Sequence, residues 1–326
     1  MTHQHTNKTI KRFLTGLFSL IVLLPASAQF EAQVSQYMLN TPAYNPASIA
    51  ENGMINATGQ FRQQWLNMPG APQTLYFTIS TPFMKSEKAS NGVGIKFLRD
   101  GIGAFVNQSG HLQYAYKRKL GKNTLSLGAD LGFVGVSFIA DSVRAELNSE
   151  YHERMLEDTA VPTTDETGMS LDLSLGAFYS TPKYYLGISY VHLNAPSVKI
   201  NDDHTQFNVP GVIYATGGYD LSFSDPKWML RSSALFKSDF VSWQGEVSSR
   251  LEYDEKFWAG LGYRYQDAVV VYAGINLLRG LLVGFSYDVP ASKMIKATYG
   301  TPEVLISYSF AFDFGSKSKY KSIRIL

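Results

Sequence analysis

The feature that most constrains this chain is an alternation of apolar and polar residues with a period of two. In 241–253 the odd positions are mainly apolar or aromatic, whereas the even positions hold Ser, Gln, Glu and Arg. The same alternation recurs in 125–133, 169–177 and 304–314. This period is that of a β-strand with one apolar and one polar face. The chain is therefore predicted to be all-β.

Two architectures use such strands, a soluble β-sandwich and a membrane barrel. A sandwich buries the apolar face and uses strands of about five or six residues. A membrane barrel turns that face to lipid, needs about 9–11 residues per strand and has a polar interior. The strands here have the greater length, and their polar faces are rich in Gly, Ser and charged residues. The pattern favours a transmembrane antiparallel β-barrel.

Fourteen segments are predicted as barrel strands, an even number as bacterial barrels require. They are 54–64, 73–82, 92–99, 108–119, 124–138, 168–180, 183–192, 211–223, 227–237, 241–253, 256–265, 268–278, 281–289 and 303–314. If the first strand rises from the periplasm, the long connections 139–167, 193–210 and 290–302 lie outside, and most of the opposite connections are tight turns. This asymmetry is typical of an outer-membrane barrel. Four tryptophans near strand ends predict interfacial girdles, namely Trp65, Trp228, Trp243 and Trp258.

Residues 1–28 are predicted to be a secretory signal peptide. A basic stretch at 8–12 precedes an apolar run at 13–24 and a small-residue cleavage site at 26–28. Without the three basic residues of the signal, 26 basic residues stand against 27 acidic ones, and this balance argues against nucleic-acid binding. The absence of cysteine from all 326 residues excludes disulfide bonds and thiolate metal sites.

No motif in the sequence carries an enzymatic chemistry. The histidines after the signal peptide have no metal-ligand spacing; they are His111, His152, His192 and His204. There is no nucleophile elbow and no phosphate-binding loop. Four charged residues on the polar faces of strands are interpreted as lumen charges: Asp130, Asp172, Glu246 and Arg250. We expect Glu246 and Arg250 to form ion pairs across the lumen. The chain is predicted to be no enzyme and to hold no cofactor or metal.

The segment 29–53, between signal and barrel, does not alternate. It contains Pro42 and Pro46, which lack the ladder donor, so we expect it to pack in or under the barrel as a periplasmic or plug segment. Asn45-Pro46-Ala47 resembles the Asn-Pro-Ala box in the N-terminal hatch of long-chain fatty-acid transporter barrels, which are fourteen-stranded. This resemblance makes the three residues hatch candidates and leaves open an outer-membrane transporter of hydrophobic small molecules.

A longer resemblance is to the PorP/SprF family of the Bacteroidetes type IX secretion and gliding motility apparatus. The segments that carry it are Ser35-Gln36-Tyr37-Met38, Asn45-Pro46-Ala47, Arg62-Gln63-Gln64-Trp65, Gly70-Ala71-Pro72, Tyr114-Ala115-Tyr116 and Ser286-Tyr287-Asp288. The resemblance implies an integral outer-membrane protein, embedded in outer-membrane lipid, that is needed for export of cargo. It also implies periplasmic lipoprotein partners of the ring or peptidoglycan-binding type and, for some members, retention of secreted adhesins at the cell surface.

Residues 315–326 form a basic tail behind the predicted barrel, 54–314. The tail has four positive charges and no acid; its candidate partner-binding residues are Lys317, Lys319, Lys321, Arg324, Ile325 and Leu326. Members of the PorP/SprF family end on a similar stretch, although Ile325 stands where an aromatic residue is more usual. Because both ends of an even-stranded barrel lie in the periplasm, the tail is expected to bind an acidic periplasmic partner.

Overall fold

The computed structural model describes residues 31–85, 89–140, 164–200, 205–277 and 280–311. Within these ranges the strands are β1 (Ile55–Gln63), β2 (Gln73–Lys85), β3 (Ala89–Ile102), β4 (Phe105–Leu120), β5 (Asn123–Phe138), β6 (Glu166–Ser180), β7 (Tyr184–Val191), β8 (Ser197–Ile200), β9 (Thr205–Asn208), β10 (Val212–Ser222), β11 (Trp228–Ser238), β12 (Trp243–Tyr253), β13 (Phe257–Arg264), β14 (Ala268–Leu277), β15 (Leu281–Pro290) and β16 (Thr301–Phe310). All except β8 and β9 close into one antiparallel barrel, in which β1 pairs with β16. The predicted fourteen-stranded barrel is confirmed. The predicted signal peptide and basic tail lie outside the described residues.

The alternation in the sequence separates the two faces of the barrel wall. Leu112, Leu131 and Val247 project outward and are 66%, 51% and 56% exposed. Asp172 and Glu246 project into the lumen and are 0% and 4% exposed. An apolar outer face around a polar interior is the arrangement of a barrel that lies in a lipid bilayer. No helix in the described ranges is long and apolar enough to cross a membrane.

The connections between strands differ in length at the two ends of the barrel. At one end, called here the turn end, short turns such as 121–122 and 254–256 join neighbouring strands. Gly121 adopts a φ of 68°, a conformation that favours glycine. At the other end, the loop end, the connections 64–72 and 291–300 are longer. Bacterial barrels have short periplasmic turns and longer extracellular loops, so the turn end faces the periplasm.

The loop end contains a hairpin that the sequence did not predict. The connection 193–210 was expected to be a long outer connection, and it contains the paired strands β8 and β9. Val198 of this hairpin packs against Val134 and Val136 on the lumen face of β5. A side chain on Gly168 of β6 would collide with the hairpin backbone. The hairpin therefore folds inward and fills the loop end of the lumen.

Two of the four tryptophans lie at opposite ends of the wall, and a third faces the lumen. Trp228 packs on Tyr253 at the turn end, with ring centroids 4.6 Å apart. Trp243 stacks on Tyr265 at the loop end, at 5.2 Å. Trp258 is only 5% exposed and faces the lumen, so its predicted place in an interfacial girdle is wrong. Even-numbered residues of β13 face the lumen, and this alternation determines the direction of Trp258 although the residue lies near a strand end.

Candidate functional site

Residues 31–50, called here the lumenal segment, run through the barrel from the loop end to the turn end. Glu31 lies at the loop end, since it contacts His192 directly after β7. The chain enters β1 at the turn end. Three short 3-10 turns compact the segment; they are Tyr37–Leu39, Thr41–Ala43 and Pro46–Ser48. Most side chains of the segment are buried against the lumen face of the wall.

Charged side chains from five wall strands bind the start of the lumenal segment. This arginine cluster consists of Arg62, Glu246, Arg264, Asp288 and Glu303. The Glu303 carboxylate accepts the backbone N–H groups of Ser35 and Gln36 at 2.7 and 2.8 Å. The Ser35 hydroxyl donates to Asp288 at 2.7 Å and accepts from both arginines of the cluster at 2.7 and 2.8 Å. The segment is thus part of the cluster's hydrogen-bond network.

The arginine cluster also spans the seam at which the barrel closes. Arg62 of β1 pairs with Asp288 of β15 at 2.8 Å and with Glu303 of β16 at 3.3 Å. Arg264 of β13 bridges Glu246 at 2.8 Å and Asp288 at 2.7 Å. All five side chains belong to residues at most 4% exposed. Because buried charges are stable only when paired and hydrogen-bonded, the seam and the lumenal segment stabilise each other.

A second group, the histidine clamp, holds the first described residue of the lumenal segment to the wall. It consists of Glu31, His111, Asp172 and His192. The Nε2 atom of His192 lies 2.6 Å from Glu31 Oε1, and its Nδ1 atom lies 2.7 Å from Asp172 Oδ2. The Nε2 atom of His111 lies 2.8 Å from the same Asp172 oxygen. One wall carboxylate therefore joins both histidines.

The part of the histidine clamp around His192 is an ion-pair network at neutral pH. Burial alone would raise the pKa of Glu31, but the hydrogen bond and positive charge of His192 outweigh it and lower the pKa to about 2. Burial would lower the pKa of His192, but its hydrogen bonds to Asp172 and Glu31 raise the pKa to about 9. Both ring nitrogens of His192 therefore carry protons, and each donates to one carboxylate.

Aromatic packing holds the middle of the lumenal segment. Tyr44 stacks on Tyr214 of β10, with ring centroids 5.3 Å apart. Tyr37 is fully buried, and its hydroxyl lies 3.1 Å from the Ser233 hydroxyl and 3.2 Å from that of Ser248. A buried tyrosine whose hydroxyl is hydrogen-bonded combines apolar burial with a satisfied polar group. This packing fixes the segment between the arginine cluster and the turn end.

The hatch candidates Asn45, Pro46 and Ala47 lie together against the lumen face of β5, β6 and β7. The Asn45 side chain accepts the backbone N–H of Ala47 at 3.0 Å and donates to the carbonyls of Ala177 and Ile188 at 3.2 and 3.3 Å. A Cβ atom on Gly128 of β5 would collide with the backbone of Ala47. The close approach of the segment to the wall therefore requires glycine at that position.

The four lumen charges named from the alternation all face the lumen but lie in separate places. Asp130 pairs with Lys96 at 3.3 Å. Asp172 belongs to the histidine clamp and Glu246 to the arginine cluster. The guanidinium of Arg250 lies over the indole ring of Trp258 in β13, 5.5 Å from the ring centroid. Of the two residues expected to form ion pairs across the lumen, Glu246 pairs with Arg264 of the neighbouring strand, and Arg250 forms no ion pair among the described residues.

The residues that sequence reasoning missed are partners from other strands. Arg264 lies directly opposite Glu246 in the register of β12 and β13, so the partner of Glu246 comes from the neighbouring strand rather than from across the lumen. His111 and His192 were treated as unconnected, yet both contact Asp172. The alternation in β4 could have placed His111 on the lumen face, because its neighbours along the strand face outward. In the described part of the chain, no group of His, Asp and Glu is arranged to hold a metal ion.

Comparison with known proteins identifies one family and several barrels of similar fold. Residues 26–308 match the family model described as type IX secretion system membrane protein PorP/SprF. No curated protein matches the chain. The Acinetobacter baumannii outer membrane protein Omp33 is 10% identical, covers 79% of this chain and 98% of its own, and has a TM-score of 0.45.

Two further solved structures are similar. The translocator domain of the autotransporter NalP from Neisseria meningitidis is 11% identical, with 85% of this chain and 96% of that chain covered and a TM-score of 0.44. A triple mutant of the Rhodopseudomonas blastica porin is 10% identical, with 78% and 99% covered and a TM-score of 0.35. The family match extends from before the lumenal segment into β16. The chain is an outer-membrane β-barrel and belongs to the PorP/SprF family of type IX secretion system membrane proteins.

Proposed function

We propose that this protein is a non-enzymatic component of the type IX secretion system that links periplasmic parts of the apparatus to the outer membrane and supports export or surface retention of cargo. The observation that carries this proposal is the occupied lumen. The lumenal segment and the β8–β9 hairpin lie inside the barrel, and buried ion pairs hold the segment in place. A barrel whose lumen is occupied in this way suits an anchor better than a conduit for folded cargo.

In this proposal the lumenal segment acts as a plug, with Asn45, Pro46 and Ala47 as its contact with β5 to β7. The wall carbonyls bound by Asn45 and the aromatic packing support this role. Limited proteolysis of the folded, detergent-extracted protein tests it. Resistance of residues 40–50 is expected, and rapid cleavage there, while the barrel remains heat-modifiable on a gel, would contradict a plug.

The basic tail is the proposed partner-binding element. It follows β16, which ends at the turn end, and its charged residues are Lys317, Lys319, Lys321 and Arg324. These charges would attract an acidic surface of a periplasmic lipoprotein, with an affinity that falls as salt rises. In this proposal Ile325 and Leu326 would add apolar contact area to the interaction with the partner.

Charge reversal of the tail tests the linking role. The triple variant Lys317→Glu, Lys319→Glu and Lys321→Glu should leave a heat-modifiable barrel but lose co-purification with its periplasmic partner and block cargo export. The matched control reverses three exposed lysines of the turn end outside the tail: Lys119, Lys122 and Lys256. The control should keep both activities. If the reversed tail still captures the partner and supports secretion at ordinary salt, the proposal fails in this form.

A second candidate function is the transport of hydrophobic small molecules. The position of the Asn-Pro-Ala box inside the lumen favours it, because a hatch must block the path that it controls. The buried charges of the lumen wall, such as Lys96 and Asp130, favour the linking role instead, because charged side chains suit a polar segment in the lumen better than a hydrophobic molecule. Uptake of a labelled fatty acid that depends on this protein would support transport.

A further inference from the structure

One arginine on the lumen face of the described strands differs from the others in its partners. Arg62, Arg231 and Arg264 each contact at least two carboxylates within 3.3 Å. Arg250 contacts no carboxylate within ion-pair distance among the described residues, and its Nε and Nη1 atoms have no hydrogen-bond partner there. A guanidinium that is withdrawn from bulk water without a partner is destabilising. A ligand that accepts hydrogen bonds would remove this penalty.

Arg250 lines a cavity of about 250 Å³ at the turn end, beside the β6–β7 turn. The charged residues around the cavity are Glu51, Lys183, Asp220, Arg231 and Arg250. Asp220 is committed to Arg231, with 2.6 Å between Oδ2 and Nη1. Arg231 also pairs with Glu252 at 2.9 Å, so its charge is balanced, whereas Arg250 brings a positive charge to the lining without an ion-pair partner among the described residues. The hydroxyl of Tyr185, which also lines the cavity, lies near the Thr216 hydroxyl but makes no hydrogen bond of good geometry in the described ranges.

Stacking fixes the two unpartnered groups in position. The Arg250 guanidinium lies over the Trp258 ring, 5.5 Å from its centroid. The Tyr185 ring stacks on Phe178, with centroids 5.4 Å apart and an angle of 17° between the rings. Contact through a ring face orients a side chain and leaves its in-plane hydrogen-bonding atoms unused. The donors are thus held in place by contacts that do not satisfy them.

We infer that this cavity binds a carboxylate of a periplasmic polypeptide, with Arg250 as the charged donor and Tyr185 as the neutral one. Arginine recognises the planar carboxylate through parallel hydrogen bonds. The turn end faces the periplasm, and a cavity of about 250 Å³ holds one acidic side chain or chain terminus. The inference rests on the proposed function, because it gives the acidic partner a second contact besides the basic tail.

Binding of short peptides to the purified, full-length barrel in detergent tests this inference. One fluorescent probe is a peptide of Gly-Glu repeats with both ends capped, which offers acidic side chains only. The other is an acetylated peptide of Gly-Ser repeats with a free carboxyl end, which offers a terminal carboxylate only. At least one probe should bind, and the one that binds identifies the source of the carboxylate. Free acetate should compete better than inorganic phosphate.

Arg250→Gln should weaken binding of that probe by roughly tenfold or more, as expected when a charged hydrogen-bond donor is lost. Tyr185→Phe keeps the ring stacking and should weaken binding less, and it provides a second variant if Arg250→Gln does not fold. The control is Lys256→Gln, at a turn-end residue with a 62% exposed side chain outside the cavity lining; it should bind as the unmodified protein does. Heat-modifiability on a gel verifies that each variant is folded.

Several outcomes would overturn the cavity assignment: neither probe binds, Arg250→Gln binds as well as Lys256→Gln, or phosphate displaces the probe better than acetate. The assay keeps the tail intact in every variant, so its failure is distinct from failure of the proposed function. Loss of partner capture on tail reversal, with no effect of Arg250→Gln on peptide binding, would reject the cavity and retain the linking role. The opposite result would retain the cavity and reject the tail.

Discussion

The outer face and the lumen face of the wall use the same strands but are stabilised in different ways. On the outer face, Leu112, Leu131 and Leu173 lie side by side across β4, β5 and β6. Any apolar side chain of similar size would meet lipid equally well at these positions. On the lumen face, His111 and Asp172 from the same region form a specific pair at 2.8 Å. The outer face depends on composition, whereas the lumen face depends on particular partners.

This contrast determines what a substitution does on each face. An outer-face change alters one side chain's interaction with lipid, so its effect depends on depth in the bilayer. A lumen change leaves a buried partner without its counter-charge, so its effect depends on how many groups were paired. The three predictions below test the difference, beginning with the largest effect.

Arg264→Met should produce the largest loss of stability. Arg264 is fully buried and pairs with Glu246 and Asp288, so its removal leaves at least Glu246 without a cationic partner. Breaking a buried ion pair typically costs about 3–5 kcal/mol. Urea unfolding of the barrel in lipid should show this decrease in the free energy of unfolding.

The control for Arg264→Met is Arg231→Met, on the same lumen face. Arg231 also pairs with two carboxylates, but its side chain is 32% exposed, so water screens what remains. Its loss should be clearly smaller. Equal losses in the two variants would mean that the burial of an ion pair does not determine how much it contributes to stability on the lumen face.

Leu131→Arg should have the next largest effect and is specific to the outer face. Leu131 lies near the middle of β5 and is 51% exposed. An arginine on the lipid face costs about 2–4 kcal/mol near the bilayer midplane and about 0–1 kcal/mol near the interface. Leu125→Arg, nearer the turn end of the same strand and on the same face, should therefore be mild. If both variants unfold at the same urea concentration, the assignment of depth along β5 is wrong.

The outer face could be predicted from the sequence because its rule is local. The alternation alone predicted the barrel class, the number of wall strands and the faces of residues such as Leu131 and Asp172. Strand ends were less predictable; the third strand was expected over 92–99 and extends over Ala89–Ile102. Hydrogen bonding to the next strand continues past the point at which side-chain alternation weakens.

The lumen could be predicted only in part because its partners are distant along the chain. The alternation along β12 placed Glu246 on the lumen face, but which residue pairs with it is determined by the register between β12 and β13, and that residue is Arg264. Ser35 meets Asp288 across 253 residues, a contact that no local pattern encodes. The β8–β9 hairpin was missed for the same reason, since its short strands are stabilised by packing against Val134 and Val136.

The smallest effect expected, when it is measured over one pH unit, is a pH dependence that belongs to the lumen face alone. The pKa of His192 is raised from 6.5 to about 9, so its contribution to stability is complete below about pH 6.5 and is lost as the pH rises through 9. Over that window the free energy of unfolding should fall by about 1.4 kcal/mol per pH unit from this group. The pKa of Glu31 is lowered from 4.5 to about 2, so its contribution is present above pH 4.5 and is lost as the pH falls through 2.

The histidine clamp is therefore expected to be intact at neutral pH and to weaken at both low and high pH. Two variants distinguish the contribution of His192 from that of Glu31. His192→Gln should flatten the alkaline fall in stability relative to the unmodified protein, and Glu31→Gln should flatten the acid fall. The difference between each variant and the unmodified protein cancels titration elsewhere in the barrel. Leu125→Ala, on the outer face, should keep the original pH profile, because no ionisable group is changed there. If His192→Gln loses stability between pH 7 and 9 as steeply as the unmodified protein, His192 does not hold the lumenal segment by charge, and the two faces differ less than their contacts indicate.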